Sequence, residues 1–208
     1  MSLNLKEIFE KEYMKGYFHR NKKILIVSIL IFFVLGSIGT MLNMDTMGIE
    51  HKHADKSINN NGQSVQSTFD DFMHLFIHNF IYDVSVIIGG LLFFIPTLQL
   101  TFINATNMIT LFVKGEPLLL LAGVVPHGIF EIPSTFFATA GGLMLFLTEV
   151  NVIKAIIRRN SVKQAISDSQ TLIKDAILSI LIVFVLLLIA AFIEAYITPI
   201  CQSILIPA

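Results

Sequence analysis

Among the ionisable side chains inside the strongly apolar stretches of the sequence, where such groups are rare, are Asp83, His127, Glu131 and Glu194. His127 and Glu131 are four residues apart, so a helix would place both on one face, within hydrogen-bonding reach. Asp83 and Glu194 belong to two other apolar stretches, and Asn79 precedes Asp83 by about one helical turn. Ionisable groups surrounded by hydrocarbon are costly unless they pair or take part in function. The sequence therefore predicts that these five residues form an interior polar cluster.

Several kinds of chemistry are open to this cluster. Because the same apolar stretches contain no Lys or Arg, one or more carboxylates should hold a proton or a cation. A proton or cation pathway is one alternative, and a weak metal-ligand set of His127, Glu131 and Glu194 is another. A hydrolase that uses Ser134 is a third, supported only by its nearness in sequence to His127 and Glu131. The alternative that we favour is structural: a satisfied polar cluster that locks helices together.

The composition shows that membrane helices must position these groups. Hydrophobic residues make up 54% of the 208 residues and charged residues only 14%, against about 25% charged in an ordinary soluble domain. The net charge of −1 provides no field for nucleic acid. Cys201 is the single cysteine, which excludes an intramolecular disulfide framework. We expect an all-α, polytopic integral membrane helix bundle with no cofactor and no nucleic-acid partner.

The apolar pattern predicts about five spans in a multi-pass cell-membrane protein. A basic N-terminal segment (1–23) precedes the first span, a polar extracytoplasmic loop (45–71) follows it, a membrane bundle occupies 72–199, and a short tail (200–208) ends the chain. The predicted spans are 24–44, 72–95, 97–113, 117–150 and 175–198.

The third span depends on a division of one long apolar run at Pro96, and a single kinked helix is the alternative. The division places the basic segments 1–23 and 151–174 on the same side, which the positive-inside rule assigns to the cytoplasm. Within 1–23, the residues Leu5, Ile8, Phe9 and Tyr17 fall near one helical face. This pattern indicates either an amphipathic helix on the membrane surface or a short exposed helix.

Prolines and small residues predict how the later helices are shaped. The stretch 117–150 is too long for one straight crossing, and Pro126, Gly128 and Pro133 interrupt it, so we expect a fourth span broken at Pro126–Gly128. Ser161 to Gln164 resembles a capping box at a helix start. Six small residues predict close contacts between helices, or else they reflect the ordinary composition of membrane helices. These residues are Gly89, Gly90, Ala138, Gly142, Ala191 and Ala195.

Two segments together resemble the stage II sporulation protein M family. Residues 125–133 read VPHGIFEIP, similar to the family's Pro-His-Gly-x-x-Glu-x-Pro signature. Residues 190–199 read AAFIEAYITP, similar to its closing Ala-Ala-x-Ile-Glu-x-Phe-Ile-Thr-Pro segment. Asn79 and the pair Gly89–Gly90 fit the pattern, whereas the family's usual Asn-Gly is replaced by Asn104–Ala105 or Asn107–Met108. The resemblance covers roughly 72–199.

The resemblance implies a polytopic membrane scaffold. In spore-forming bacteria the family member is implied to hold two peptidoglycan-degrading partners at the septal membrane, and relatives occur widely in organisms that do not sporulate. We therefore expect a non-enzymatic membrane scaffold or assembly protein, with a small transporter or channel for a proton, metal ion or small solute as the alternative. The expected partners are the lipid bilayer and membrane or envelope proteins, and a homo-oligomer is also open.

Overall fold

The computed structural model describes residues 5–43 and 68–205, and every regular element in these ranges is helical. This confirms the predicted all-α fold. Most of the polar loop predicted at 45–71 lies outside the described residues, as does the end of the tail. The α-helices are α1 (Lys11–Arg20), α2 (Lys22–Asn43), α3 (Thr68–Ile88), α4 (Ile95–Lys114), α5 (Pro117–Leu119), α6 (Val125–Ile157), α7 (Val162–Asp168), α8 (Gln170–Phe192) and α9 (Thr198–Leu205).

The N-terminal segment packs against the bundle instead of presenting one apolar face. A 3-10 helix, Leu5–Phe9, precedes α1, and the extended backbone of Glu10 between them breaks the helical phase. Ile8 and Tyr17 are therefore buried in a core cluster with side chains of α6 and α8, whereas Leu5 and Phe9 are exposed. The expectation that all four share one face is wrong for this reason.

A tight turn separates α3 from α4. Phe93 and Phe94 have φ values of 55° and 63°, and Pro96 stands in the first turn of α4. Left-handed backbone at two consecutive non-glycine residues cannot continue a helix. The two helices run antiparallel, with the Thr97 hydroxyl donating to the main-chain oxygen of Val86 at 2.7 Å. The residues on either side of Pro96 therefore belong to separate helices, and not to a single kinked one.

The predicted break at Pro126–Gly128 is wrong, because the chain is helical without interruption from Pro117 to Ile157. The irregularity is a π-helical turn, Leu120–Val124, in which the Val125 N–H bonds to the Leu120 carbonyl five residues earlier. In an α-helix, a proline ring clashes with the carbonyl four residues before it. The wider turn directly before Pro126 accommodates the ring and lets the helix continue.

The last helical segment has the same feature. It runs from Gln170 to Leu205 with a π-helical turn at Ile193–Ile197. Pro199 therefore lies inside the helix, whereas the predicted span ended just before it, at residue 198. Most of the predicted loop 151–174 is also helical, formed by the end of α6, α7 and the start of α8. The predicted cap is present: the Ser161 hydroxyl accepts a bond from the Gln164 N–H at 3.3 Å.

Within the described residues, four helical segments are long and apolar enough to cross a membrane, namely Lys22–Leu42, Phe69–Leu91, Pro117–Ile157 and Gln170–Leu205. The helix α4 has 20 residues, a length of about 30 Å, but it is more polar. Its polar residues bond to α6, as in Thr101 with Thr139 at 3.0 Å and Asn104 with Thr135 at 2.9 Å. A fifth crossing by α4 remains a prediction.

Glycines bring the helices of the bundle into close contact. Gly90 lies against the main-chain carbonyl of Gly142 on α6, and Gly39 of α2 lies against Thr106 of α4. A methyl group at either glycine would overlap the facing atoms. The close contact predicted for Gly90 and Gly142 is thus confirmed, and it holds the turn after α3 against α6.

Candidate functional site

The first part of α6 positions the central pair of the polar cluster. His127 and Glu131 follow the π-helical turn and project from one face, with 3.8 Å between His127 Nε2 and Glu131 Oε2. Asn79 of α3 donates from Nδ2 to Glu131 Oε1 at 3.2 Å. Both oxygens of the Glu131 carboxylate therefore face a nitrogen. The structure brings together the three residues that the sequence placed in one cluster.

Asp83 joins the cluster through a serine. Its side chain is buried, and its Oδ2 atom lies 2.7 Å from the Ser134 hydroxyl. The same hydroxyl lies 2.8 Å from the main-chain oxygen of Glu131. A hydroxyl has one proton to donate, so Ser134 can donate a hydrogen bond to either of these two oxygens, one at a time. Ser134 therefore connects Asp83 of α3 to α6.

Asn79, Asp83 and Glu131 border a cavity of about 160 Å³ between α3, α4 and α6. At roughly 30 Å³ for each water, it is large enough for a handful of water molecules or a small solute. Its wall is mainly carboxyl, amide, hydroxyl and imidazole groups. The lining residues are His78, Asn79, Tyr82, Asp83, Ile103, Asn104, Asn107, Glu131, Thr135 and Leu187.

Glu194 approaches the cluster from the last helical segment. It belongs to the second π-helical turn and is close enough to interact electrostatically with His127 and Glu131. It also lines a surface pocket of about 310 Å³ together with Asp71 and His74 of α3. The two π-helical turns thus place their acidic and imidazole groups near each other, although Glu194 lies outside the cavity that contains Asp83.

The weak metal-ligand set is not assembled in the part of the chain that the structure describes. No three His, Cys, Asp or Glu side chains in residues 5–43 and 68–205 are grouped so that they could hold a metal ion. The Nδ1 atom of His127 is buried, and none of the described residues forms a hydrogen bond with it. Of the predicted helix-break residues, Gly128 is buried in a regular part of α6, and Pro133 lies inside the same helix.

A second polar cluster, at the opposite end of the bundle, was not predicted. Arg20 donates to both carboxylate oxygens of Asp175 at 2.6 and 3.2 Å, and Asn21 donates to Asp175 Oδ2 at 2.7 Å. One turn along each helix, the hydroxyls of Tyr17 and Ser179 lie 2.7 Å apart. We call these five residues the N-terminal dock. The helical spacings of 17, 20, 21 and of 175, 179 were visible in the sequence, but no local signal pairs them.

The surroundings in the N-terminal dock raise the pKa values of two of its residues, Tyr17 and Arg20. The hydrogen bonds that Arg20 donates to Asp175 raise the pKa of the Arg20 guanidinium above its already high value, and burial raises the pKa of the Tyr17 hydroxyl to about 12. Nearby, Lys174 Nζ lies 2.6 Å from Glu7 Oε2. The start of α2 and the start of α8 therefore lie on the same side of the bundle.

Comparison with known proteins identifies the family. The family model described as "Stage II sporulation protein M" matches residues 25–199. The chain belongs to the stage II sporulation protein M family. An uncharacterized protein of Methanocaldococcus jannaschii is 29% identical to this chain over 182 residues, which cover 85% of this chain and 95% of the relative. No solved structure matches the chain.

Membership in the stage II sporulation protein M family accounts for the position of the two motifs. The family match spans both π-helical turns, and each motif lies next to or across one of them. π-Helical turns are rare and often occur where a helix must present functional side chains. In this chain they present His127, Glu131 and Glu194.

Proposed function

We propose that this protein is a non-enzymatic integral membrane scaffold or assembly protein that holds membrane or envelope proteins. The observation that carries the proposal is that the helices pack closely against each other between the polar cavity and the N-terminal dock. A scaffold needs a rigid bundle with outward faces for partners, whereas a channel needs a continuous path.

The packed layer combines hydrogen bonds with glycine contacts. The Tyr82 hydroxyl donates to the main-chain oxygen of Leu100 at 2.6 Å and ties α3 to α4 directly beside the cavity. Farther from the cavity, Thr101 pairs with Thr139, and Gly90 lies against the carbonyl of Gly142. Buried polar groups that are satisfied in this way rigidify a core. The layer supports a static role for the bundle.

The cavity favours a second candidate, a small transporter or channel for a proton or small solute. Asp83 and Glu131 are carboxyl groups beside a volume large enough for water, and such groups within membrane helices commonly mark pathways. Transport would require the packed layer to open. We rank this candidate below the scaffold because the cavity ends at that layer.

We also propose that the N-terminus is cytoplasmic. The N-terminal dock places the start of α2 and the segment before α8 on one side, and both carry excess Lys and Arg. Under the positive-inside rule this side faces the cytoplasm.

Paired assays on the full chain separate the two functions. Purified protein in proteoliposomes should show no proton or monovalent-cation flux above empty vesicles. In native membranes, a photo-crosslinking residue at outward positions Leu30 and Val185 should give an adduct with the same membrane or envelope protein in repeated experiments, confirmed by tagging that protein instead. Protein-dependent flux that Glu131→Gln abolishes while the variant still folds would establish transport. The absence of any recurrent adduct at either face would count against the scaffold.

A further inference from the structure

The outward face of the hairpin formed by α3 and α4 carries polar side chains among apolar ones such as Ile81 and Ile103. Exposed polar side chains on this face are His74, His78 and Ser85 of α3 and Gln99 and Asn107 of α4. The rings of His74 and His78 are stacked, with centroids 6.2 Å apart. By contrast, between Ile26 and Leu42 the helix α2 exposes a single polar side chain, Ser37. Acyl chains suit α2 but offer no partners to the hairpin.

The polar cavity opens onto this same face. Three of its lining residues, His78, Ile103 and Asn107, are themselves exposed, so they mark its mouth between α3 and α4. Behind the mouth are the carboxyl groups of Asp83 and Glu131. An open polar cavity at membrane depth would leave hydrogen-bonding groups facing hydrocarbon, which is strongly unfavourable. The cavity therefore lacks one wall in the single chain.

We propose that a second copy of this chain supplies that wall, through a two-fold contact between the α3–α4 hairpins. In a two-fold contact the same patch meets itself, so the patch must carry both halves of each interaction. This face does: the amides of Gln99 and Asn107 both donate and accept, and imidazole N–H groups are matched by the carboxyl groups inside the mouth. The proposal is independent of the scaffold function.

The geometry also explains why a copy fits better than lipid. No Lys, Arg, Asp or Glu is exposed on the hairpin between His74 and Asn107, so two copies would meet without fixed like charges. Amide and imidazole groups are among those that join membrane helices through hydrogen bonds. Closing the mouth with the partner subunit's His78 and the partner subunit's Asn107 would convert an open cavity into an enclosed one.

Cysteine crosslinking in membranes tests the proposal directly. In a Cys201→Ser background, Ile103→Cys, at the mouth of the cavity, is compared with Ile38→Cys, which is also exposed and lies beside the contact of Gly39 with Thr106, at a similar depth. Oxidation at low expression should give at least fivefold more crosslinked dimer for Ile103→Cys than for Ile38→Cys. Co-expression of two differently tagged copies should show both tags in the band. Equal crosslinking at the two positions, or an adduct of Ile103→Cys with a different protein only, would overturn the proposal.

A substitution without cysteine provides the second test. Asn107→Leu removes an amide from the face and should lower the fraction of two-step photobleaching events in dilute lipid vesicles severalfold. Ile38→Leu should leave that fraction unchanged. Thermal unfolding in detergent shows whether each variant is folded. A folded Asn107→Leu variant that dimerises like wild type, or a wild type that bleaches in single steps throughout, would contradict a two-fold contact at the hairpin.

Discussion

Replacing Asp175 with Asn should release the N-terminal segment from the bundle. Asp175 accepts three hydrogen bonds, two from Arg20 and one from Asn21, and its side chain is only 1% exposed. The substitution keeps the size of the side chain but removes its charge and one acceptor. Residues 5–20 would then be held by Ile8, Tyr17 and the Lys174–Glu7 pair, without their strongest polar contact.

The magnitude follows from the exposure of the two partners. Removing one member of a fully buried ion pair costs about 3–5 kcal/mol. Because the Arg20 side chain is 31% exposed, water can solvate the freed guanidinium and the loss falls to about 2 kcal/mol. The weakened bond from Asn21 adds up to about 1 kcal/mol. We therefore expect the docking of the segment to weaken by about 2–3 kcal/mol.

Limited trypsin digestion in detergent measures this change, because Lys11, Lys15 and Arg20 lie in the segment. Asp175→Asn should be cut there many times faster than wild type. Asp168→Asn, the same chemical change at an exposed residue of α7, is the control. A double-mutant cycle with Arg20→Gln should give a coupling energy of at least about 1 kcal/mol. Digestion at the wild-type rate together with zero coupling would refute the role assigned to the N-terminal dock.

Other predictions concern packing, pH and topology. Gly90→Ala should markedly lower the thermal stability in detergent because its methyl group meets a carbonyl, whereas Gly128→Ala should be neutral, since the nearest atom would be 3.8 Å away. Burial raises the pKa of Tyr17 from 10.0 to about 12; the folded state then holds a proton that the unfolded chain has lost. The free energy of unfolding should therefore fall above pH 10 by up to about 3 kcal/mol, and this fall should be smaller in Tyr17→Phe. In a Cys201→Ser background, Ser161→Cys should react with an impermeant maleimide only in permeabilised cells; reaction in intact cells would reverse the proposed orientation.

The polar cluster could be predicted because membrane energetics leaves few choices. Glu131 had to find a partner within the bundle, and the sequence grouped it with Asn79, Asp83, His127 and Glu194. The structure supports this with the contacts of Glu131 to Asn79 and His127. The cavity was less accessible to sequence reasoning, because its existence depends on how far α3 and α4 diverge beyond the bond from Tyr82 to Leu100.

The N-terminal dock could not be predicted, because its partners are separated by more than 150 residues. Tyr17 lies 162 residues before Ser179, and Arg20 lies 155 before Asp175. Helical spacing identifies which residues share a face, but it does not identify the facing helix. An Arg and an Asp just outside apolar stretches are ordinary at membrane boundaries, so neither residue drew attention alone.

The π-helical turns were missed for a different reason: a proline in an apolar stretch predicts a break when only α-helical geometry is considered. The wider turn at Leu120–Val124 contains one more residue than an α-turn and accommodates Pro126. Deleting Leu121, an exposed residue of this turn, should force α-helical geometry and drive the proline ring against a carbonyl, at a cost of about 3 kcal/mol. Adding Pro126→Ala to the deletion should recover most of the lost thermal stability, because alanine has no ring and restores an N–H. If the combined variant is no more stable than the deletion alone, the turn exists for some reason other than the proline.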